Sequence, residues 1–327
     1  MRLDGLDAAS IERAARLIAD GELVAFPTET VYGLGARADS DSAVARIFAL
    51  KGRPSGHPLI VHVADRAGAD RFVATAMPTV AERLIDAFWP GPLTVIVARR
   101  AGVADAAAAG QATIGLRAPA HPVAHALLAE AARLGVFGIA APSANRFGRV
   151  SPTTAAHVED ELGADLPVLD GGAARIGIES AIVDCSTGRP VLLRPGILTP
   201  GRIEEAAGEP LQAANATSPR APGTLAAHYA PQARLRLMTT EMLKTALQVL
   251  GADPLKLAVY SRSIPSGVAT GVVHRRMPAR PEQAAHELFS ILRELDREGV
   301  HLIWVEEPPP GPEWDGVRDR LGRAAAS

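Results

Sequence analysis

Lys51 and Arg53 are two cations one residue apart, and Arg194 supplies a third beside Pro195-Gly196. Arginine forks two oxygens of a phosphate or carboxylate, and lysine acts as a point charge beside it. Ser143 and Asn145 repeat the same one-residue spacing with a hydroxyl and an amide, after the apolar run Phe137–Ala140. Loops at strand ends are where α/β proteins place ligands. With Phe26-Pro-Thr-Glu-Thr-Val-Tyr-Gly-Leu-Gly35, these patches put small residues beside cations and hydroxyls. They suit a nucleotide or another polyanionic small molecule gripped from several loops. No Ser-His-Asp set, nucleophile elbow or paired-carboxylate pattern is present, so the chemistry expected is positioning and electrostatic stabilisation.

Each patch also has a structural reading. Lys51-Gly52-Arg53 suits a helix C-terminus capped by glycine. Ser143 and Asn145 suit a turn. Arg117 and Arg194 each sit in or at the end of an apolar strand, where a buried arginine needs either a structural carboxylate or a bound anion. His62 reads as a histidine at the edge of the core. His121 and His125, four apart on a helix, lack the neighbouring glutamate and third ligand of a zinc site and read as surface residues. No P-loop is present, and Gly33-Leu-Gly35 lacks the third glycine of a dinucleotide fingerprint.

The positioning elements follow from periodicity. Helical spacing marks 7–20, 41–50, Met77–Phe88, Pro122–Leu134 and Thr154–Leu162. Strands are expected at Glu22–Phe26, Pro58–Val63, Leu93–Val97, Thr113–Arg117, Val136–Ala140, Glu179–Asp184 and Val191–Arg194. Several connections are too short for parallel crossovers, so the sheet should be mixed. A Pro/Ser/Gly-rich stretch without periodicity then reads as a linker. Beyond it, strands at Arg234–Met238, Leu255–Tyr260 and His301–Val305 and a helix at Pro281–Glu298 form a second, small Rossmann-like α/β unit. The expected organisation is a catalytic domain over 1–205, a linker or lid over 206–232 and a C-terminal α/β domain over 233–327.

Bulk properties set the bounds. The chain has 327 residues, 47% of them hydrophobic and 21% charged, with a net charge of -2. A chain of this length suits two domains. No global basic field points to nucleic acid. A single cysteine, Cys185, excludes a disulfide framework and fits a reducing cytoplasm. No signal peptide and no apolar run of membrane-spanning length is seen.

In order along the chain, the patches resemble the YrdC-like family of threonylcarbamoyl-AMP synthases. Phe26 to Gly35 resembles its N-terminal signature, and Lys51-x-Arg53 with Ser143-x-Asn145 its paired K-x-R and S-x-N motif. Pro58–His62, Trp89–Thr94, Gly177–Ser180 and Leu193–Gly196 are similar too. The likeness spans about residues 10–200. Pro222-Gly-Thr-Leu-Ala-Ala-His-Tyr-Ala-Pro231 resembles the linker of the long, two-domain form. Here Thr224–Ala227 stand where many relatives carry a methionine followed by basic or aromatic residues, so no linker cation is expected on a phosphate. His57 is a second departure from the family pattern.

The resemblance implies a YrdC-like mixed-sheet domain that joins L-threonine, bicarbonate or CO2 and ATP into threonylcarbamoyl-AMP and pyrophosphate. This product would serve threonylcarbamoyl modification of adenosine beside the tRNA anticodon, carried out by other proteins. Lys51, Arg53, Ser143 and Asn145 are the implied catalytic residues. Lys51, Arg53, His57, Thr113, Ser143, Ser151, Arg194 and Tyr229 would hold ATP. Thr30, His62, Arg117, Ala141 and Ser180 would hold threonine. Mg2+ would accompany ATP with no dedicated protein metal site. Membrane association and strong direct RNA binding are not expected. The rival reading is a double-stranded RNA-binding or ribosome-maturation module that uses the same cleft without catalysis.

Overall fold

Helix ends written into the sequence shape the start of the chain. Strand β1 (Arg2–Asp4) leads to helix α1 (Ala8–Ala19), where the Asp7 carboxylate accepts from Ala9 and Ser10 N–H groups at the N-terminus. Strand β2 (Val24–Phe26) pairs antiparallel with β3 (Gly33–Arg37). Helix α2 (Asp41–Lys51) is capped by Ser40 and stopped by Gly52, whose φ of 61° is the left-handed conformation glycine adopts freely. The computed structural model describes residues 1–250, 256–265 and 271–327.

The chain divides into two compact units, residues 1–147 with 151–224 and residues 148–150 with 225–327. The expected linker over 206–232 is therefore apportioned at Thr224. Before it, helix α7 (Pro200–Ala207) buries Ile203 and Ala207 in the first unit's core.

The rest of the first unit comprises β4 (Ile60–His62), α3 (Arg66–Asp70), α4 (Thr79–Phe88), β5 (Leu93–Ala98), β6 (Thr113–Arg117), α5 (Pro122–Arg133), β7 (Ile139–Ala140), α6 (Ala155–Leu162), β8 (Val168–Asp170), β9 (Ala181–Asp184) and β10 (Val191–Arg194). Its ten-strand sheet runs β1-β8-β2-β3-β7-β4-β6-β5-β9-β10. Pairs β4/β6 and β5/β9 are parallel, while β5/β6 and β9/β10 are antiparallel, so the sheet is mixed as expected.

Both faces of this sheet are covered. Val24 and Phe26 pack with α1 and α5, and Ala25 between them packs on the opposite side with α2 and α4. That alternation is the two-residue period of a strand buried on both faces. Gly33 and Gly35 lie inside β3. A Cβ on Gly35 would stand 2.8 Å from Ile139 Cγ2 and 2.9 Å from the Phe26 ring. These glycines make room for core side chains and form no phosphate loop.

Among the described residues, the second unit has a parallel four-strand sheet in the order β11 (Arg234–Met238), β14 (Leu302–Glu306), β12 (Leu257–Ser261), β13 (Val273–Arg276). Helices α8 (Thr240–Val249), α9 (Pro281–Arg297) and α10 (Asp315–Ala325) complete it. Leu255, the expected start of the middle strand, lies outside the described residues. At the carboxyl ends of these strands Glu306 is fully buried, accepting from Arg262 N at 2.7 Å, Ser263 N at 2.8 Å and the Thr240 hydroxyl at 2.7 Å. The chain's own carboxylate thus binds the amides at the edge where Rossmann-like sheets hold ligands.

Some elements escaped the periodicity. Strands β1 and β8 are three residues each, too short for a pattern, and β3 lies hidden in the Phe26–Gly35 patch. His121 is not a surface residue. It is buried, and its Nδ1 accepts from Val123 N at 3.2 Å to cap α5. His125 is exposed.

Candidate active site

The end of α2 buries Lys51 rather than presenting it. Only 3% of the residue is exposed, and its Nζ donates to Ser143 O at 2.5 Å and also to Asn145 O. Phe147 N donates back to Lys51 O at 2.9 Å. Burial, with the Arg53 charge adding to it, holds the Lys51 ammonium well below the usual lysine range. Lys51 thus ties the K-x-R and S-x-N patches together. Ser143 also pairs with Gly33, and Ala144 N donates to Tyr32 O at 2.9 Å, which brings the N-terminal signature to the same loop. The Asn145 amide donates to Arg146 O at 2.7 Å.

Arg117 and His62 are register partners on the parallel strands β6 and β4. Arg117 meets a structural carboxylate: Nη2 donates to Glu29 Oε1 at 2.6 Å, Nη1 to Thr30 Oγ1 at 2.9 Å and Nε to Gly91 O at 3.2 Å. One N–H remains on each terminal nitrogen. Glu29 Oε2 accepts from Ala120 N at 3.1 Å, so this buried pair is fixed at both ends. The buried His62 ring packs edge-on to Phe26 with centroids 5.9 Å apart. Burial and the Arg117 charge push its pKa down to about 3, so it is neutral at physiological pH. Ala141 is buried beside this strand, its N–H on Ile60 O at 2.9 Å.

Arg194 organises the third cluster. Its Nε donates to Ser180 O at 3.0 Å, Nη2 to Ser180 Oγ at 3.2 Å and Nη1 to Pro222 O at 3.0 Å. Ser180 Oγ also lies 2.8 Å from Thr94 Oγ1. Gly177 N donates to Thr30 O at 3.1 Å, joining this segment to the Glu29 and Arg117 region. Ser151 is buried and donates to Glu179.

Arg53 is 8% exposed, bonded through Nη2 to Pro58 O at 3.0 Å, with its guanidinium 5.7 Å from the Phe147 ring centroid. His57 packs on the same ring at 5.6 Å. Thr113 lines a small recess with Pro58, Thr94, Ile182, Arg220 and Pro222. Tyr229 belongs to the second unit, where it stacks on Phe289 at 5.4 Å under the Arg320 guanidinium.

The expected residues of the first unit therefore fall on a helix end, strands and loops joined by hydrogen bonds, and four of their neighbours went unassigned from sequence. Glu29 was hidden between two threonines, and Thr94 and Glu179 within matched patches. Arg220 left a signal, being the one Lys or Arg between 206 and 232. Among the described residues no three His, Cys, Asp or Glu side chains group to hold a metal ion, and no helix is long and apolar enough to cross a membrane.

A two-unit α/β enzyme with arginines and hydroxyls gathered on the strands and adjoining loops of a mixed sheet is the class these features define. The family described as "Telomere recombination" matches residues 16–196, and that described as "Threonylcarbamoyl-AMP synthase, C-terminal domain" matches residues 198–326. The threonylcarbamoyl-AMP synthase of Pyrococcus abyssi is 39% identical, over 96% of this chain and 94% of the relative. That of Bacillus subtilis is 38% identical, over 96% and 92%. A solved structure of P. abyssi Sua5 complexed with L-threonine matches with a TM-score of 0.87 at 35% identity, over 98% of this chain and 95% of that one. Escherichia coli YciO, with a TM-score of 0.50 at 22% identity and covering 60% of this chain and 94% of its own, shares the fold alone. The chain belongs to the threonylcarbamoyl-AMP synthase family, in the form that carries the C-terminal domain.

Proposed function

We propose that this chain joins L-threonine, bicarbonate or CO2 and ATP into threonylcarbamoyl-AMP, releasing pyrophosphate and, where bicarbonate is first dehydrated to CO2, water, in the cytoplasm. The observation that carries the reading is the linkage of distant patches within one unit: Lys51 on the carbonyls of Ser143 and Asn145, and Arg194 on Ser180. The names of the relatives favour a synthase over an RNA-binding module.

Threonine is assigned to Thr30, His62, Arg117, Ala141 and Ser180. The N–H groups left on Arg117 suit its carboxylate. Because His62 is neutral, it adds a hydrogen-bonding ring without a second positive charge beside Arg117. The threonine nitrogen attacks CO2 and loses a proton to give a carbamate. A carbamate oxygen then attacks the α-phosphorus of ATP, forming the P–O bond as the bond to pyrophosphate breaks. Charge develops on phosphoryl oxygens, where Arg53 and Arg194 act, with Lys51 holding the Ser143–Asn145 loop. Thr113, Ser143, Asn145, Ser151 and His57 are assigned to the nucleotide and carbamate. Carbamates decompose in water, so a site that excludes water protects the intermediate. Mg2+ would ride on the triphosphate and neutralise part of the leaving pyrophosphate; the hydroxyls, amide and arginines here suit phosphates better than a bare cation. The product is an activated acyl-adenylate, to be consumed by proteins that transfer the threonylcarbamoyl group to tRNA.

The test is pyrophosphate release with and without threonine and bicarbonate. Arg53→Ala and Arg194→Ala should fold but lose about 2–5 kcal/mol of transition-state binding, the cost of truncating a desolvated charged contact. Two folded variants with the parental rate would refute the assignment.

A further inference from the structure

The linker was expected to bring no cation to the nucleotide, because residues 224–227 are Thr-Leu-Ala-Ala. The structure puts a cation four residues earlier. Arg220 is exposed at a point where its backbone is held firmly: its N–H donates to Gln111 Oε1 at 2.9 Å, and Gln111 Nε2 donates to Arg220 O at 3.1 Å. This reciprocal amide pair fixes one residue of an otherwise irregular segment in register with the residues just before β6. The next residue, Ala221, is buried in an apolar cluster with Ile60, Ile96 and Ile182. The one after, Pro222, gives its carbonyl to Arg194. Three consecutive residues are thus fastened by a hydrogen-bonded amide, an apolar contact and a charged donor.

The side chain of Arg220 has no such fastening. Among the described residues it has no carboxylate partner and no hydrogen bond. Its Nη1 lies 3.6 Å from where a Cβ on Gly56 would stand, and it lines the recess that Thr113 and Pro58 also line. Arg53 and Arg220 are the two charges acting on His57, and both, after burial, push its pKa down. A pinned backbone thus presents an exposed guanidinium without a carboxylate partner close to His57 and the recess of Thr113. Phosphate oxygens complete such a site with charge-assisted hydrogen bonds.

We propose that Arg220 is a phosphate-binding residue of the nucleotide site, carried on the linker and supplying the cation that residues 224–227 lack. The proposal rests on the ATP-dependent reading above. Gln111 is the positioning residue that sets where the guanidinium can reach.

The experiment compares the full-length chain with Arg220→Ala and Arg220→Lys, after a melting curve confirms that each is folded. KM for ATP should rise about tenfold in Arg220→Ala, equal to about 1.4 kcal/mol. KM for threonine should not move, and Arg220→Lys should recover part of the loss. Gln111→Ala should raise KM for ATP in the same direction by a smaller factor. An unchanged KM for ATP in Arg220→Ala overturns the proposal and leaves a surface arginine. A fall in kcat alone also overturns it. If the parent itself releases no threonine-dependent pyrophosphate, the synthase reading fails instead. Direct titration with ATP then still decides Arg220, since equal affinity of parent and Arg220→Ala overturns the proposal.

Discussion

Around Glu29 and Arg117 the opposite charges are buried and paired, whereas Arg53 and Arg220 both act on His57 and Arg220 meets no carboxylate among the described residues. The first region balances its own charges and leaves one N–H over on each Arg117 terminal nitrogen. Removing two charges from water is costly, and the pair holds because its geometry and extra hydrogen bonds offset that cost. It can orient a small zwitterion without reorganising. The second region keeps Arg220 at the surface, where an unpaired guanidinium is cheap to maintain, next to the buried Arg53. It is suited to a ligand that brings its own negative charge. The difference separates a charge-balanced pair from a region with an unpaired guanidinium, although both are built from arginine.

The largest expected effect tests the balanced region. Glu29→Ala leaves Arg117 buried without its counter-charge and should cost about 3–5 kcal/mol of stability in urea unfolding. The double replacement Glu29→Leu with Arg117→Met should recover much of this while abolishing threonine binding. A Glu29→Ala midpoint equal to the parent's would mean that the pair does not hold the fold. A smaller effect is expected at Lys51, which shares features of both regions. Lys51→Met leaves the carbonyls of Ser143 and Asn145 without their donor, at about 1–3 kcal/mol. The rate of pyrophosphate release should fall more than KM for ATP rises. The reverse pattern would move Lys51 from holding the loop to gripping phosphate directly.

The effect read in the smallest steps, per unit of pH, is a stability slope. The His62 pKa is lowered from 6.5 to about 3 in the folded chain. Between those values the unfolded chain binds a proton that the folded chain refuses. Stability is therefore complete above pH 6.5 and should fall by about 1.4 kcal/mol per unit as pH drops toward 3. His62→Asn should flatten this slope in denaturation series between pH 6 and pH 4, whatever it does to threonine binding. An identical slope in parent and variant would show that His62 is not the group responsible.

Much of the fold was legible because burial writes periodicity into a chain. Thr113–Arg117, Val191–Arg194 and Arg234–Met238 fall where alternation and apolar runs put them. β1 and β8 are three residues each and lie in no longer apolar run, unlike β2 and β4, and they pair in parallel with each other. His121 read as exposed because nothing local reveals that its ring caps α5. The K-x-R, S-x-N and Arg194 patches were visible as residue types suited to anions. Which of them faces a ligand and which holds a neighbouring loop was not, because that depends on carbonyls some ninety positions away in the chain.

The order of motifs, the two-part organisation and the family were determined by sequence alone, since residue type and local spacing suffice for them. Tertiary structure decided the roles. It gave Arg117 to Glu29, set Lys51 against two backbone carbonyls and brought the linker's lone cation to the recess beside Thr113. Charge pairing and burial act through space, and residues that decide each other's protonation and reach can be far apart in the chain that encodes them.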